Sequence, residues 1–130
     1  MVLGHDDDLA GDATRISNRL RGLLTSIYTA LERVLGPRLR HPAVLALLQA
    51  FGSPAAVAQA GPEEITRTLL GAAPRMRTAQ KITEQVMAAL AEQTVTVPGT
   101  AAAGDIVSGL AEALAVILHR REVLEDRIAS

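Results

Sequence analysis

Three consecutive aspartates near the start of the chain, Asp6, Asp7 and Asp8, form its densest group of acidic side chains. Clustered carboxylates hold the metal ions of two-metal nucleases, so a metal site is one interpretation. Consecutive side chains of a helix point about 100° apart, however, and three of them do not converge on one ion. We favour the alternative, in which these carboxylates stabilise the N-terminus of a helix. The sequence therefore predicts neither a metal site nor a catalytic acid here.

Basic residues are concentrated in the middle of the chain. Residues 1–12 carry a net charge of −4, residues 13–81 carry +7 and residues 82–130 carry −4. A basic segment between acidic ends is typical of a surface that binds a polyanion. An alternative is that these side chains only solvate helix faces, since all the basic residues but one are Arg. The predicted nucleic-acid contacts are Arg15, Arg19, Arg21, Arg67, Arg75, Arg77 and Lys81.

Other kinds of chemistry are poorly represented. There is no Cys, and His5, His41 and His119 are far apart in the sequence, which predicts no thiolate nucleophile, no zinc site and no cofactor. Aromatic residues make up 2% of the chain, too few for a platform that stacks bases. Apolar runs such as residues 43–48 are far shorter than a membrane span, and residues 1–8 lack a secretory pattern. We therefore expect a cytoplasmic protein without a membrane partner.

A long helix is predicted over residues 6–35. Gly36 and Pro37 end it, and no proline interrupts it. Its apolar residues alternate at spacings of four and three, which is a heptad pattern and indicates a partner helix. The residues of this pattern are Leu9, Ala13, Ile16, Leu20, Leu23, Ile27, Ala30 and Val34.

A second long helix is predicted over residues 101–129, after an extended linker at 93–100. Its heptad pattern has one polar exception, Arg121. Two such patterns predict an antiparallel helix pair, with Val34 near Val107. Pairing within one chain and pairing between copies in a homo-oligomer both stay open. The residues of the second pattern are Val107, Leu110, Leu114, Ile117, Arg121, Leu124 and Ile128.

Residues 42–92 predict a small helical tip between the two long helices. Pro42, Pro54 and Pro62 occupy positions suited to the first residue of a helix. The tip resembles helix-hairpin-helix modules, in which a glycine hairpin and a helix N-terminus bind a DNA phosphate through backbone N–H groups. Here residues 71–74, Gly-Ala-Ala-Pro, replace the usual hairpin. The alternative is a compact helical cap, and in either case the chain is predicted to be a single all-α region.

The succession of motifs resembles a segment of bacterial insertion-sequence transposases of the DEDD class. These enzymes have a Holliday-junction-resolvase-like nuclease domain and act as bridge-RNA-guided recombinases, and the similar segment follows that domain. The resemblance covers about residues 6–129 and rests on the order of short motifs. These are Asp7-Asp8-Leu9, Thr14, Asn18-Arg19-Leu20-Arg21, Leu23-Leu24, Phe51-Gly52-Ser53-Pro54, the Arg-rich stretch from Pro74 to Lys81, Thr94-Val95 and Pro98-Gly99-Thr100.

The resemblance implies a role in DNA transposition and recombination, but no catalysis by this chain. The family's metal-binding acids lie in the upstream nuclease domain and its nucleophilic serine lies downstream. Neither the three aspartates nor Ser108 and Ser130 match those motifs. The expectation is a truncated transposase that keeps a segment for nucleic-acid binding, to DNA or RNA, and for dimerisation. Two alternatives remain: a standalone helix-hairpin-helix module that binds nucleic acid, and a helical interaction protein that does not.

Overall fold

The computed structural model describes the backbone of residues 2–27, 29–92 and 100–129, and the side chains of residues 8–26, 29–92 and 102–126. Across these ranges the chain forms six α-helices and no β-strand, which confirms the predicted all-α fold. A 3₁₀ turn, Gly36–Arg38, follows the second helix. The helices are α1 (Val2–Ile27), α2 (Thr29–Leu35), α3 (Pro42–Ala50), α4 (Pro54–Ala72), α5 (Ala79–Glu92) and α6 (Thr100–Ala129).

The first helix begins earlier than predicted. α1 starts at Val2, and its first turn contains no acidic residue. Asp6, Asp7 and Asp8 therefore lie too far along the helix to cap its free N–H groups, and the predicted capping role is wrong. The helix predicted over residues 6–35 corresponds to α1 and α2. Tyr28, between these two helices, and residues 93–99 of the predicted linker lie outside the described residues.

Apolar side chains from all six helices form one core. On α1 the buried side chains include three members of the predicted heptad pattern, Leu9, Ala13 and Leu20. α1 packs chiefly against α6, so a partner of the first heptad pattern lies within this chain. The antiparallel direction of the two helices stays a prediction.

The second helix has a different main neighbour. α2 packs chiefly against α5, and Val34 lines a groove of about 330 Å³ together with Ala88 and Ala89 of α5. The predicted pairing of Val34 with Val107 did not include this contact between α2 and α5. The heptad pattern marks which side of α2 is apolar, but it carries no information about which helix covers that side.

The end of α3 approaches the start of α6 very closely. A Cβ atom placed on Gly52 would overlap the carbonyl oxygen of Gly104 and the Oγ of Ser108. Ser108 Oγ also donates a hydrogen bond of 3.0 Å to the carbonyl oxygen of Leu48. The segment from Leu48 to Gly52 therefore packs directly on residues 104–108 of α6. Two glycines make this close backbone contact possible.

Prolines and caps set the limits of the helices in the tip. α3 begins at Pro42, and α4 begins at Pro54 after Ser53, whose Oγ accepts a hydrogen bond of 3.2 Å from the backbone N–H of Ala56. Both predicted starts are confirmed. The path of α4 breaks at Gly61, which has φ 79° and ψ 167°, just before Pro62. Glycine tolerates this positive φ without steric cost, and proline can begin the next helical stretch.

The last helix keeps part of its apolar surface exposed. Val107, Ala111 and Leu114 are buried in the core, whereas Ile106 and Val116 remain 46% and 45% exposed. By length and composition, with a mean hydropathy of 1.4, Ala102–Asp126 is also apolar enough to cross a membrane, although core helices of soluble proteins pass the same criterion. Scattered polar residues interrupt the apolar runs of this helix but leave its mean hydropathy high.

Candidate nucleic-acid interface

The seven Arg and Lys side chains predicted to contact nucleic acid are all exposed. They fall into two groups on different elements. Arg15, Arg19 and Arg21 lie on α1, and the other four lie on α4, on α5 and in the connection between these helices. Exposure leaves every one of these side chains accessible to a large ligand.

The connection between α4 and α5 forms a basic corner, which we define as Arg75, Arg77 and Lys81. The connection is held at both ends by backbone hydrogen bonds, from Ala73 N–H to Leu69 O at 3.0 Å and from Ile82 N–H to Thr78 O at 2.9 Å. Within the described part of the chain, no acidic side chain forms an ion pair with any of the three bases of the corner. Their positive charges therefore face solvent without compensation.

The two helices that carry the corner are braced by a pair of hydroxyl groups. The Oγ1 atoms of Thr66 on α4 and Thr83 on α5 are hydrogen-bonded at 2.7 Å. Thr83 is buried, and its Oγ1 also contacts the carbonyl oxygen of Ala79 at 3.0 Å. This hydrogen bond between a half-buried and a buried hydroxyl group restrains the relative position of the two helices. The corner is consequently presented on a defined support.

The corner departs from the helix-hairpin-helix pattern in its backbone. α4 continues through Gly71 to Ala72, and the one described glycine with positive φ is Gly61. The N–H groups of Gly71 and Ala72 therefore lie inside a helix and are not open to a phosphate. The hairpin N–H groups therefore do not supply the phosphate contacts of that pattern.

Three of the other four predicted arginines form exposed ion pairs. Arg15 pairs with Asp12, Arg67 pairs with Glu64, and Arg21 Nη2 lies 3.5 Å from Glu32 Oε1. Arg19 forms no ion pair with a described residue. Exposed pairs of this kind contribute little to stability, about 0–1 kcal/mol, so a nucleic-acid phosphate could displace the carboxylates at small cost.

The structure adds basic residues that the sequence analysis did not single out. Arg38 and Arg40, together with His41, line an open pocket of about 550 Å³ beside Arg21 of α1. A signal was present in the sequence, because residues 36–41 place two arginines and a histidine in a turn between Pro37 and Pro42. Folding packs this turn against the middle of α1. Arg21, a predicted contact, therefore lines the same pocket as Arg38 and Arg40.

Acidic side chains show no comparable clustering. Among the residues that the structure describes, no three His, Asp or Glu side chains approach closely enough to hold a metal ion. Asp6 and Asp7 belong to α1 by their backbone, but their side chains are outside the described set.

Comparison with known proteins relates this all-α chain to proteins of insertion elements. It is 48% identical over 128 residues, 98% of the chain, to the "Insertion element IS110 uncharacterized 43.6 kDa protein" of Streptomyces coelicolor. It is 33% identical over 128 residues to the "Insertion element IS116 uncharacterized 44.8 kDa protein" of Streptomyces clavuligerus. The chain spans 31% and 30% of the lengths of these two relatives.

These similarities support the resemblance to insertion-sequence transposases at the level of an insertion-element protein. No family model matches the chain, and no solved structure matches it significantly. The similarity extends over nearly all described helices, so the basic corner and the pocket beside α1 both lie in the region shared with these relatives.

Proposed function

We propose that this chain is the helical segment of a DEDD-class insertion-sequence transposase and that it binds nucleic acid during DNA transposition. The observation that carries the proposal is its similarity to insertion-element proteins over nearly its whole length. The basic corner supports the nucleic-acid role, since uncompensated positive charge on a braced support is suited to phosphates. The ligand is DNA or, in a transposase guided by RNA, an RNA helix.

Binding is expected to be weak and independent of sequence. Aromatic side chains that stack on bases are scarce, and the exposed Arg and Lys side chains are suited to phosphates, so phosphate contacts supply most of the affinity. Fluorescence anisotropy titrations with a labelled DNA duplex, its shuffled sequence and an RNA duplex should give similar affinities that fall steeply with salt. Absence of binding at low salt would contradict the proposal and favour a helical interaction protein. A strong preference for one sequence would contradict the phosphate-based mechanism.

We further propose that catalysis in such a transposase belongs to other domains. Successive residues of a helix diverge by about 100°, so the three aspartates of α1 do not form a convergent set of metal ligands. The purified chain should therefore neither cleave nor join DNA in the presence of Mg²⁺ or Mn²⁺. A supercoiled plasmid and a synthetic four-way junction are suitable substrates. Metal-dependent cleavage that is lost in Asp7→Asn would overturn this proposal.

A further inference from the structure

The pocket between the middle of α1 and the connection to α3 has an unusual set of polar side chains. It lies beside the 3₁₀ turn and has a volume of about 550 Å³. We propose that this pocket binds a phosphate group and, within the transposase segment, holds one backbone phosphate of the bound nucleic acid. The second part of the proposal rests on the proposed function, whereas the first part does not. The polar side chains of its wall are Ser17, Asn18, Arg21, Arg38, Arg40 and His41.

Three arginines from separate parts of the chain line this pocket. Arg21 comes from α1, Arg38 from the end of the 3₁₀ turn and Arg40 from the following connection. The lining contains no acidic residue, and the carboxylate recorded beside it is that of Glu32, 3.5 Å from Arg21 Nη2. Three arginines line the pocket against this one carboxylate, so its lining is net positive. Arg38 and Arg40 also line adjacent grooves, which contain Glu92 and the pair Glu122 and Glu125, respectively. An anion is the ligand that the net positive lining of the pocket favours.

The geometry of arginine favours an oxyanion with several acceptor oxygens. A guanidinium group is planar and donates two parallel hydrogen bonds to the oxygens of a carboxylate or a phosphate. Arg38 uses one N–H for the carbonyl oxygen of Val34, at 3.4 Å, and a guanidinium has five such donors. The acceptor sites of a carboxylate lie in one plane, whereas arginines from separate parts of the chain suit an anion whose oxygens point in three dimensions. A tetrahedral phosphate matches them better.

Ser17 supplies an independent sign of a missing acceptor. Its side chain lines the pocket and is 7% exposed, and its Oγ forms no hydrogen bond with any described residue. Buried hydroxyl groups without a partner are uncommon in folded proteins, because burial removes the hydrogen bonds that water would make. The Oγ atom has less than 1 Å² of accessible surface, so the side chain must rotate toward the pocket before a phosphate oxygen can provide the acceptor that this hydroxyl lacks.

His41 contributes a donor whose position follows from its own hydrogen bond. Its Nδ1 accepts the backbone N–H of Ala43 at 3.1 Å, so the neutral imidazole carries its proton on Nε2. The same residue is the N-cap of α3, and the partial positive charge of that helix end lies at the edge of the pocket. The Nε2 proton and the N-terminus of α3 both add to the attraction that the arginines exert on an anion.

Inorganic phosphate tests the first part of the proposal without nucleic acid. The full ¹⁵N-labelled chain is titrated with phosphate at constant ionic strength, and sodium chloride serves as the control anion. Amide signals of residue 36 and of residues 38–41 should shift and saturate in the millimolar range, and Arg21→Gln with Arg40→Gln should abolish the shifts. Arg33→Gln, which removes an exposed charge of α2 outside this pocket, should leave them unchanged. Absence of saturable shifts in the wild-type chain would overturn the phosphate site.

Nucleic acid tests the second part. If the pocket holds one backbone phosphate, the Arg21→Gln, Arg40→Gln variant should flatten the slope of log K against log salt by about one unit on duplex DNA. Phosphate saturation alone, with no shift of the same amides on adding DNA that binds, would show that the site takes a free anion and would overturn the backbone-phosphate assignment. The proposed function would survive that result, because it requires only that DNA binds.

Ser17→Ala separates a binding role from a structural role. Removal of a buried hydroxyl without a partner should leave the melting temperature unchanged or raise it, since no hydrogen bond is lost. Phosphate affinity should fall about threefold to tenfold if the hydroxyl donates to the ligand, in line with the loss of one hydrogen bond. A lower melting temperature with unchanged phosphate affinity would show that Ser17 serves the fold, and it would overturn its assignment to the site.

Discussion

Gly52→Ala is expected to destabilise the protein by about 3 kcal/mol, the upper part of the range for overpacked substitutions. The new methyl group would overlap the carbonyl oxygen of Gly104, and a backbone atom cannot rotate away as a flexible side chain can. Relief requires that α3 and α6 separate, which also strains the hydrogen bond from Ser108 Oγ to Leu48 O. In a chain of 130 residues this corresponds to a fall of about 10 °C in the melting temperature.

Thermal unfolding followed by circular dichroism measures this effect, and urea unfolding gives the free energy. Gly109→Ala is the matched control, because it adds the same methyl group to α6 at a site with no neighbouring atom within 4 Å. Alanine has the higher helix propensity, so this control should be stabilised by about 0.5–1 kcal/mol. Gly104→Ala should resemble Gly52→Ala, since its Cβ would lie 2.9 Å from Ser53 Cβ. Equal stability of Gly52→Ala and the wild type would contradict the close packing of α3 on α6.

Replacement of the basic corner, Arg75→Ala with Arg77→Ala and Lys81→Ala, should weaken duplex DNA binding by about a hundredfold near 0.1 M salt. Each phosphate contact releases counterions and contributes about −0.9 to the slope of log K against log salt. The triple variant should therefore flatten this slope by about two to three units if all three bases contact phosphate. The fold should be unaffected, because the three side chains are exposed and form no ion pair with a described residue.

Anisotropy titrations of the wild type and the triple variant at several salt concentrations provide the measurement. Arg33→Ala with Arg120→Ala is the control for a general loss of charge, since both residues are exposed and lie outside the predicted interface. The slope should change little in this control. An unchanged slope in the triple variant would instead indicate that Arg75, Arg77 and Lys81 contact solvent and not phosphate. The remaining candidates would then be Arg15, Arg19 and Arg21 of α1, with Arg67 of α4.

Local sequence signals were sufficient to predict the helices and many of their limits. Pro42 and Pro54 begin helices because proline has a preset φ and lacks the N–H that the first turn leaves unpaired. Gly61 breaks α4 because its positive φ is incompatible with a continuous helix. The apolar spacing likewise identified buried positions such as Leu20 and Leu114. Each of these features depends on interactions within a few residues, which a single sequence contains.

Contacts between helices could not be predicted in the same way. The heptad pattern showed that α2 needs a neighbour, but its main neighbour is α5. The pocket that joins Arg21 to Arg38 and Arg40, and the close contact of Gly52 with Gly104, depend on how helices distant in sequence are placed. Hydrophobic burial is non-directional, so an apolar face accepts any complementary surface, and the choice among surfaces depends on the packing of the whole core. The sequence therefore specified the helices and their exposed Arg and Lys side chains, whereas tertiary packing brought the residues of the pocket together.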